Sequence, residues 1–178
     1  MQKSNKKIRN ATVCQAGNVT FKSQLEKSIY NTLQDLGFNP KYEPYTFTLW
    51  DGFDPITPFF DRESDKQQEK RVAEGDKNKS KILVHKTGKI TGIRYTPDFY
   101  FQYRGIDVYI EAKGLENDVF YIKKKMFRYF LDKTYKDTKQ NSIFFEVYTK
   151  KQLLQAIEIL KNYEKSIKDN READTSSP

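Results

Sequence analysis

Residues 95–114 read YTPDFYFQYRGIDVYIEAKG, and this stretch predicts two β-strands joined by a tight turn. Aromatic and β-branched residues fill both halves, and Arg104-Gly105 between them is a turn signal. Pro97 suits the start of the first strand, because proline has no N–H to donate inside a ladder. Strand side chains alternate between faces, so we expect Glu111 and Lys113 on one face of the sheet.

The same hairpin gathers candidate catalytic residues. If its strands pair antiparallel, Asp98 comes near Glu111 at the end away from the turn, with Lys113 close by. Carboxylates are hard oxygen ligands that suit Mg²⁺ or Mn²⁺. Such an ion can generate a hydroxide near neutral pH, and a nearby lysine can stabilise the charge that develops on a phosphodiester. These residues predict metal-dependent phosphodiester hydrolysis.

Composition limits the partners and the compartment. The net charge of +8 and the sequence pI of about 9.3 favour an anionic partner, first nucleic acid and second an anionic membrane surface. No apolar run is long enough to cross a bilayer, and no apolar segment follows the basic N-terminus as in a secretory signal. The single cysteine, Cys14, forms no internal disulfide and indicates a reducing compartment. We therefore expect a cytoplasmic protein that binds nucleic acid and no membrane.

The pattern predicts one domain over residues 20–168, preceded by a flexible basic arm (1–19) and followed by a disordered tail (169–178). The lysines of the arm are either solvated or in contact with phosphates. Inside the domain, residues 51–94 form an insertion and hairpin. A polar, highly charged segment is followed there by two short strands, at 82–84 and 90–93, which we expect to pair with each other. His85 is interpreted as a surface residue.

The order of elements predicts the fold class. Helices are expected at 20–36, 117–132 and 151–167, and strands at 42–50 and 142–149. The apolar side of the second helix is expected to consist of Val119, Ile122, Met126, Tyr129 and Phe130. Together with the hairpin these elements predict an α/β protein with a mixed central β-sheet flanked by helices.

Two features outside the hairpin each have two interpretations. Glu26 stands three residues after Ser23, which is the spacing of a helix-capping box, but it is also a carboxylate that could face the hairpin. A run of basic residues on the second helix is either a solvated face or a surface for the DNA backbone. The run comprises Lys123, Lys124, Lys125 and Arg128.

These motifs also carry a family resemblance. Pro97-Asp98, twelve further residues and then Glu111-Ala112-Lys113 resemble the PD-(D/E)xK nuclease superfamily. The segments FKSQLE (21–26), YTPDF (95–99) and EAKGL (111–115), in this order and with a lysine-rich helix after them, are similar to phage endonuclease I of the T7 type, a Holliday junction resolvase. The resemblance covers roughly residues 20–50 and 95–132.

The resemblance implies a restriction-endonuclease-like core. The charged insertion before the strand that follows Pro97-Asp98 is a departure from the resembling enzymes, in which this connection is much shorter. It implies that Glu26, Asp98 and Glu111 bind Mg²⁺, for which Mn²⁺ can substitute, with the backbone carbonyl of Ala112 as a further ligand. Lys113 would be the catalytic lysine.

The implied function is an endonuclease for branched DNA, such as four-way junctions, in phage DNA replication or recombination. A homodimer is implied as well. The alternatives are a general or end-processing deoxyribonuclease of the same fold, a nucleic-acid-binding protein without activity, and a basic scaffold protein.

Overall fold

A computed structural model describes residues 12–114 and 118–175, with side chains through 169. The chain divides into two compact units. One consists of the residues up to Leu49 and from Arg94 onward, and the other is Trp50–Ile93. Among the described residues, no helix is long and apolar enough to cross a membrane.

In chain order, the elements are β1 (Cys14–Ala16), β2 (Val19–Phe21), α1 (Gln24–Asp35), β3 (Lys41–Tyr42), β4 (Phe47–Trp50), β5 (Phe60–Arg62), α2 (Asp65–Ala73), β6 (Leu83–His85), β7 (Ile93–Tyr95), β8 (Phe99–Tyr103), β9 (Ile106–Ala112), α3 (Asp118–Thr138), β10 (Ser142–Val147) and α4 (Lys150–Thr175).

The main sheet has the strand order β10-β9-β8-β3 and is mixed. β8 and β9 pair antiparallel, and β9 and β10 pair parallel. The predicted hairpin is therefore confirmed. Arg104 and Gly105 connect its strands with φ angles of 49° and 81°, and two residues with positive φ form the turn whose twist matches a two-residue hairpin.

The sheet carries helices on both faces, which confirms the predicted α/β class with a mixed sheet flanked by helices. On one face, Ile29 of α1 and Leu153 of α4 pack with Ile110 of β9 in the larger apolar cluster. On the other face, Phe127 of α3 packs with Tyr109 of β9 in a second cluster. Neighbouring residues of β9 enter different clusters because strand side chains alternate between faces.

The first part of the chain differs from its prediction. β1 and β2 pair antiparallel, so ordered structure begins inside the segment expected to be a flexible arm. Gly17 allows this tight turn with a φ of 56°. Residues 1–11 of that arm lie outside the described residues. α1 begins only at Gln24, because Phe21 belongs to β2.

Several boundaries also moved. The strand expected at 42–50 is divided into β3 and β4, since Glu43 takes a φ of 45° and Pro44 follows it. α4 continues to Thr175, so the tail expected to be disordered from residue 169 is largely helical. Residues 115–117, with Leu115 of the EAKGL segment, and residues 176–178 lie outside the described part.

The pairing predicted for the insertion is wrong. β6 pairs antiparallel with β5, and not with the strand near residue 90. Ile90 instead forms an isolated bridge with Phe53. The two backbones run so close there that a Cβ on Gly52 would lie 2.3 Å from the carbonyl oxygen of Ile90. Two glycines, Gly52 and Gly92, make this close approach compatible with the chain.

The charged segment of the smaller unit is an ordered helix with its own polar support. Ser64 and Gln67 form a capping box at the start of α2. Arg71 of the same helix holds Glu63 with two hydrogen bonds of 2.6 and 3.1 Å and also binds Asp76 at 2.6 Å. His85 is exposed, as expected, and stacks on the ring of Phe60.

The buried side of α3 is only partly the predicted one, since Phe130 packs against the second cluster and Met126 is half-buried. Val119, Ile122 and Tyr129 are exposed, whereas Phe120, Phe127 and Leu131 face the sheet. Apolar residues occur nearly all the way around this helix, so spacing did not single out one side. Packing against the sheet selects the buried side of α3. The rings of Tyr95, Tyr109 and Phe144 form an aromatic surface, and Phe127 packs onto it edge-on or tilted.

Candidate catalytic centre

The carboxylates of the hairpin meet at the end away from its turn, where they were expected. The register pairs Phe99 with Ile110, which places Asp98 across from Glu111. The backbone N–H of Ala112 donates to Asp98 Oδ2 at 2.7 Å. Both acids are buried, with exposed fractions of 9% for Asp98 and 3% for Glu111. Two acids thus share a small, poorly solvated volume.

Tyr95 and Lys113 both hold Glu111. Lys113 Nζ lies 2.5 Å from Glu111 Oε1, and the hydroxyl of Tyr95 donates to Glu111 Oε2 at 2.6 Å. Lys113 also continues the ladder, since its backbone N–H donates to the carbonyl of Val147 at 2.9 Å. Alternation along this extended strand therefore brings the Lys113 side chain to the face of Glu111, as predicted.

Glu26 lies in the first turn of α1 and is buried. Its carboxylate accepts hydrogen bonds from the hydroxyl of Ser23 at 2.8 Å, the hydroxyl of Tyr42 at 2.6 Å and the backbone N–H of Lys22 at 2.9 Å. Ser23 caps the helix by accepting from the N–H of Glu26. The reciprocal bond of a capping box goes to Lys22 rather than to Ser23, so the cap is a variant of the predicted one.

The electrostatic environment of Asp98 includes both other acids. Burial raises the pKa of Asp98 to about 8, with the charge of Glu111 as the next cause and that of Glu26 as a smaller one. The N–H of Ala112 and the ammonium of Lys113 act in the opposite direction. Glu26 is thus close enough to influence the hairpin although it comes from a distant part of the sequence. A cation placed beside such a buried acid stabilises its ionised form.

The donor set fits a hard divalent cation by its chemistry. The candidate metal-binding side chains, Glu26, Asp98 and Glu111, are all carboxylates, which are the ligands that Mg²⁺ and Mn²⁺ prefer. Within residues 12–114 and 118–175, no three acidic, histidine or cysteine side chains stand together as a ready metal cluster. Each acid instead accepts hydrogen bonds from the protein, so binding an ion requires it to give some of them up. The ligand role of the Ala112 carbonyl stays a prediction.

The basic run on α3 divides into different environments. Lys125 and Arg128 are exposed, and Lys123 is half-buried. Lys124 turns inward, where its Nζ lies 2.7 Å from Glu146 Oε2. DNA binding by these residues stays a prediction, and Lys124 occupies a different position from the other three.

The sequence interpretation missed Glu146, Tyr148 and Tyr95 as members of this centre. Glu146 of β10 is in register with Glu111 of β9. The signal that could have found it is a charged residue inside an otherwise apolar strand, combined with the parallel pairing of that strand with β9. The pairing itself is a long-range feature, so the sequence did not display it.

No family model, curated protein or solved structure matches this chain. The function of the centre therefore has to follow from the chemistry of its own side chains.

Proposed function

We propose that this protein is a Mg²⁺-dependent DNA endonuclease of the PD-(D/E)xK type, with a restriction-endonuclease-like core, that cuts branched DNA such as four-way junctions. One observation carries the proposal: Asp98 and Glu111 face each other across the hairpin while Lys113 contacts Glu111. A purely structural core has no need of two buried, facing carboxylates, because burying a charge is costly unless an opposite charge or a bound cation compensates it.

Asp98, Glu111 and Glu26 would hold the ion. When bound, Mg²⁺ neutralises charge on the phosphate and lowers the pKa of a bound water. Hydrolysis then requires attack of a water oxygen on phosphorus and breakage of the P–O bond to the leaving sugar oxygen. Lys113 would orient the attacking water through its ammonium protons or stabilise the added negative charge. It must first exchange its contact with Glu111 for one with the substrate.

The overall charge supports an anionic substrate. A net charge of +8 attracts DNA over distances of about 10 Å at moderate ionic strength. The exposed Lys125 and Arg128 on α3 lie only a few residues along the helix from Phe120, whose ring contacts Lys113. A basic surface next to a metal-binding carboxylate site is the combination that a nuclease requires, because acids alone would repel phosphate. The homodimer is part of this proposal, and sedimentation of the protein tests it.

The test uses supercoiled plasmid, linear duplex and a synthetic four-way junction, each with Mg²⁺ or with EDTA. We expect cuts that require Mg²⁺ and that occur faster on the junction than on the duplex. Asp98→Asn and Lys113→Ala should abolish cutting while DNA binding survives. Asp107→Asn is the matched control, because this acid lies on β9 at the turn end of the hairpin and accepts hydrogen bonds from Tyr100 and Gln102.

Each other outcome is informative. Equal cutting of junction and duplex would leave a nuclease without junction preference. Products that shorten only from DNA ends would indicate the end-processing enzyme. If the protein binds DNA but leaves it intact with Mg²⁺ and with Mn²⁺, the enzyme hypothesis is wrong and the alternative of a nucleic-acid-binding protein without activity remains.

A further inference from the structure

β10 places a second glutamate beside Glu111. In the parallel register of β9 and β10, Glu146 pairs with Glu111 and Phe145 with Ile110. Paired residues of neighbouring strands project from the same face, and the strands lie about 4.8 Å apart. Glu146 therefore belongs to the face that carries Glu111 and Lys113.

Both carboxylate oxygens of Glu146 are engaged. The hydroxyl of Tyr148 donates to Oε1 at 2.5 Å, and Lys124 Nζ lies 2.7 Å from Oε2. The side chains of Glu146 and Lys124 are only 15% and 21% exposed. An ion pair this sheltered is less screened by salt than a surface pair and holds its members in one geometry. Glu146 thus fixes where the Lys124 ammonium lies.

The ring of Phe120 connects Lys124 to Lys113. Lys113 Nζ lies 4.1 Å from the ring centroid, and Lys124 Nζ lies 5.3 Å from the same centroid. Both are within the range of a cation–π contact. Two ammonium groups at one ring repel each other, and the two neighbouring glutamates compensate, since Glu111 pairs with one lysine and Glu146 with the other.

We propose that Lys124 is a second lysine of the catalytic centre, and that Glu146 is the positioning residue that holds it there. The ligand of Lys124 is a non-bridging oxygen of the DNA backbone, at or next to the phosphate that is cut. An ammonium on a flexible stem can exchange a carboxylate for a phosphate oxygen, so the Glu146 pair stores Lys124 in position until DNA arrives. This inference rests on the proposed nuclease function.

The test compares Lys124→Met with Lys136→Met. Methionine keeps much of the apolar stem and removes the charge. Lys136 lies on the same helix, ~18 Å further along at the helical rise per residue. Cleavage is measured in single turnover at saturating DNA with Mg²⁺, and affinity is measured in EDTA. We expect Lys124→Met to slow cleavage by about tenfold or more, as loss of one charge-stabilising group does. Its affinity should change less than about threefold, and Lys136→Met should cleave at the wild-type rate.

Glu146→Gln separates positioning from simple support. It should slow cleavage by a smaller factor than Lys124→Met, and the double variant should be no slower than Lys124→Met alone, because Glu146 acts through Lys124. Lys124→Arg should recover part of the rate. Thermal unfolding in EDTA shows whether each variant is folded. If Glu146→Gln unfolds, the two methionine variants still decide.

Two results would overturn the inference while leaving the nuclease intact. One is an unchanged rate in Lys124→Met, or a loss confined to affinity. The other is a double variant whose loss is the product of the single losses. A wild-type protein that cuts no DNA would overturn the proposed function and this inference together.

Discussion

Tyr95 donates its hydroxyl to Glu111 Oε2 across 2.6 Å inside the protein. The first residue of the stretch 95–114 is thus hydrogen-bonded to Glu111, which lies near the end of that stretch. Burial, with the charge of Glu111 as the next cause, raises the pKa of Tyr95 above its usual range, so the hydroxyl remains a donor. Lys113 also contacts Glu111, at Oε1. A neutral and a charged donor therefore hold the two oxygens of one acid.

Tyr95→Phe should weaken both folding and cleavage. The ring contacts with Phe127 and Phe144 remain, but Glu111 loses a buried hydrogen bond, which costs about 2 kcal/mol when the acceptor is charged. We expect this loss of unfolding free energy in denaturant titrations with EDTA. Tyr109→Phe is the control, because it removes a hydroxyl from the same aromatic cluster without removing a bond to Glu111. An equal loss in both variants would contradict a special role for the Glu111 bond.

Asp98 should make stability fall as pH rises when no metal is present. Its pKa is raised to about 8 in the folded protein, against about 4 in an unfolded chain. Between these values the folded state keeps a proton that the unfolded state has lost. This stabilising contribution is complete below about pH 4 and disappears as pH rises through about 8.

Asp98→Asn should therefore be more stable than the wild type at pH 8 in EDTA, and the advantage should shrink towards pH 4. Thermal unfolding at several pH values measures it. Mg²⁺ should raise the wild-type unfolding temperature more at pH 8 than at pH 5, because ion binding competes with the proton. A wild type that is as stable as Asp98→Asn at every pH would show that the acid carries no such cost.

Glu26→Gln should separate the cap from the ligand. The amide can still accept from Lys22 N–H and Tyr42 and can donate to Ser23, so α1 should form normally. Loss of the negative charge should weaken Mg²⁺ binding by about tenfold or more. Ser23→Ala is the opposite case, with about 1 kcal/mol of stability lost through the cap. Titrating the Mg²⁺-induced rise in unfolding temperature distinguishes them, and normal Mg²⁺ binding by Glu26→Gln would restrict Glu26 to a structural role.

The orientation of α3 predicts unequal effects of two aromatic truncations. Phe127 is fully buried, so Phe127→Ala should cost about 3–5 kcal/mol of unfolding free energy. Tyr129 is 71% exposed, so Tyr129→Ala should change it by less than about 0.5 kcal/mol. Chemical denaturation measures both. The reverse order would restore the helix orientation expected from the sequence.

Local patterns were sufficient where neighbouring residues determine the structure. The hairpin around Arg104 and Gly105 could be predicted because strand alternation and a positive-φ turn are properties of a few adjacent residues. The same reasoning placed Lys113 on the face of Glu111 and Ser23 at the start of α1. The helix expected at 151–167 was also correct, since α4 spans that range.

Long-range pairing limited the rest. β6 was expected to pair with the next strand along the chain, but it pairs with β5. The prediction failed because strand propensity does not indicate which strand a given strand pairs with. α3 is apolar on several sides, and only the aromatic surface of the sheet selected Phe127 over Tyr129. In both cases the deciding free energy comes from contacts between distant segments, which no local pattern contains.

The sequence by itself determined the hairpin that brings Asp98, Glu111 and Lys113 together, since side-chain alternation and the turn act over neighbouring residues. Only the tertiary structure decided the rest of the centre. The parallel pairing of β10 with β9 put Glu146 beside Glu111, and the packing of α3 brought Lys124 to Glu146. Both depend on which segments bury their apolar faces against each other, and that is a property of the whole folded chain.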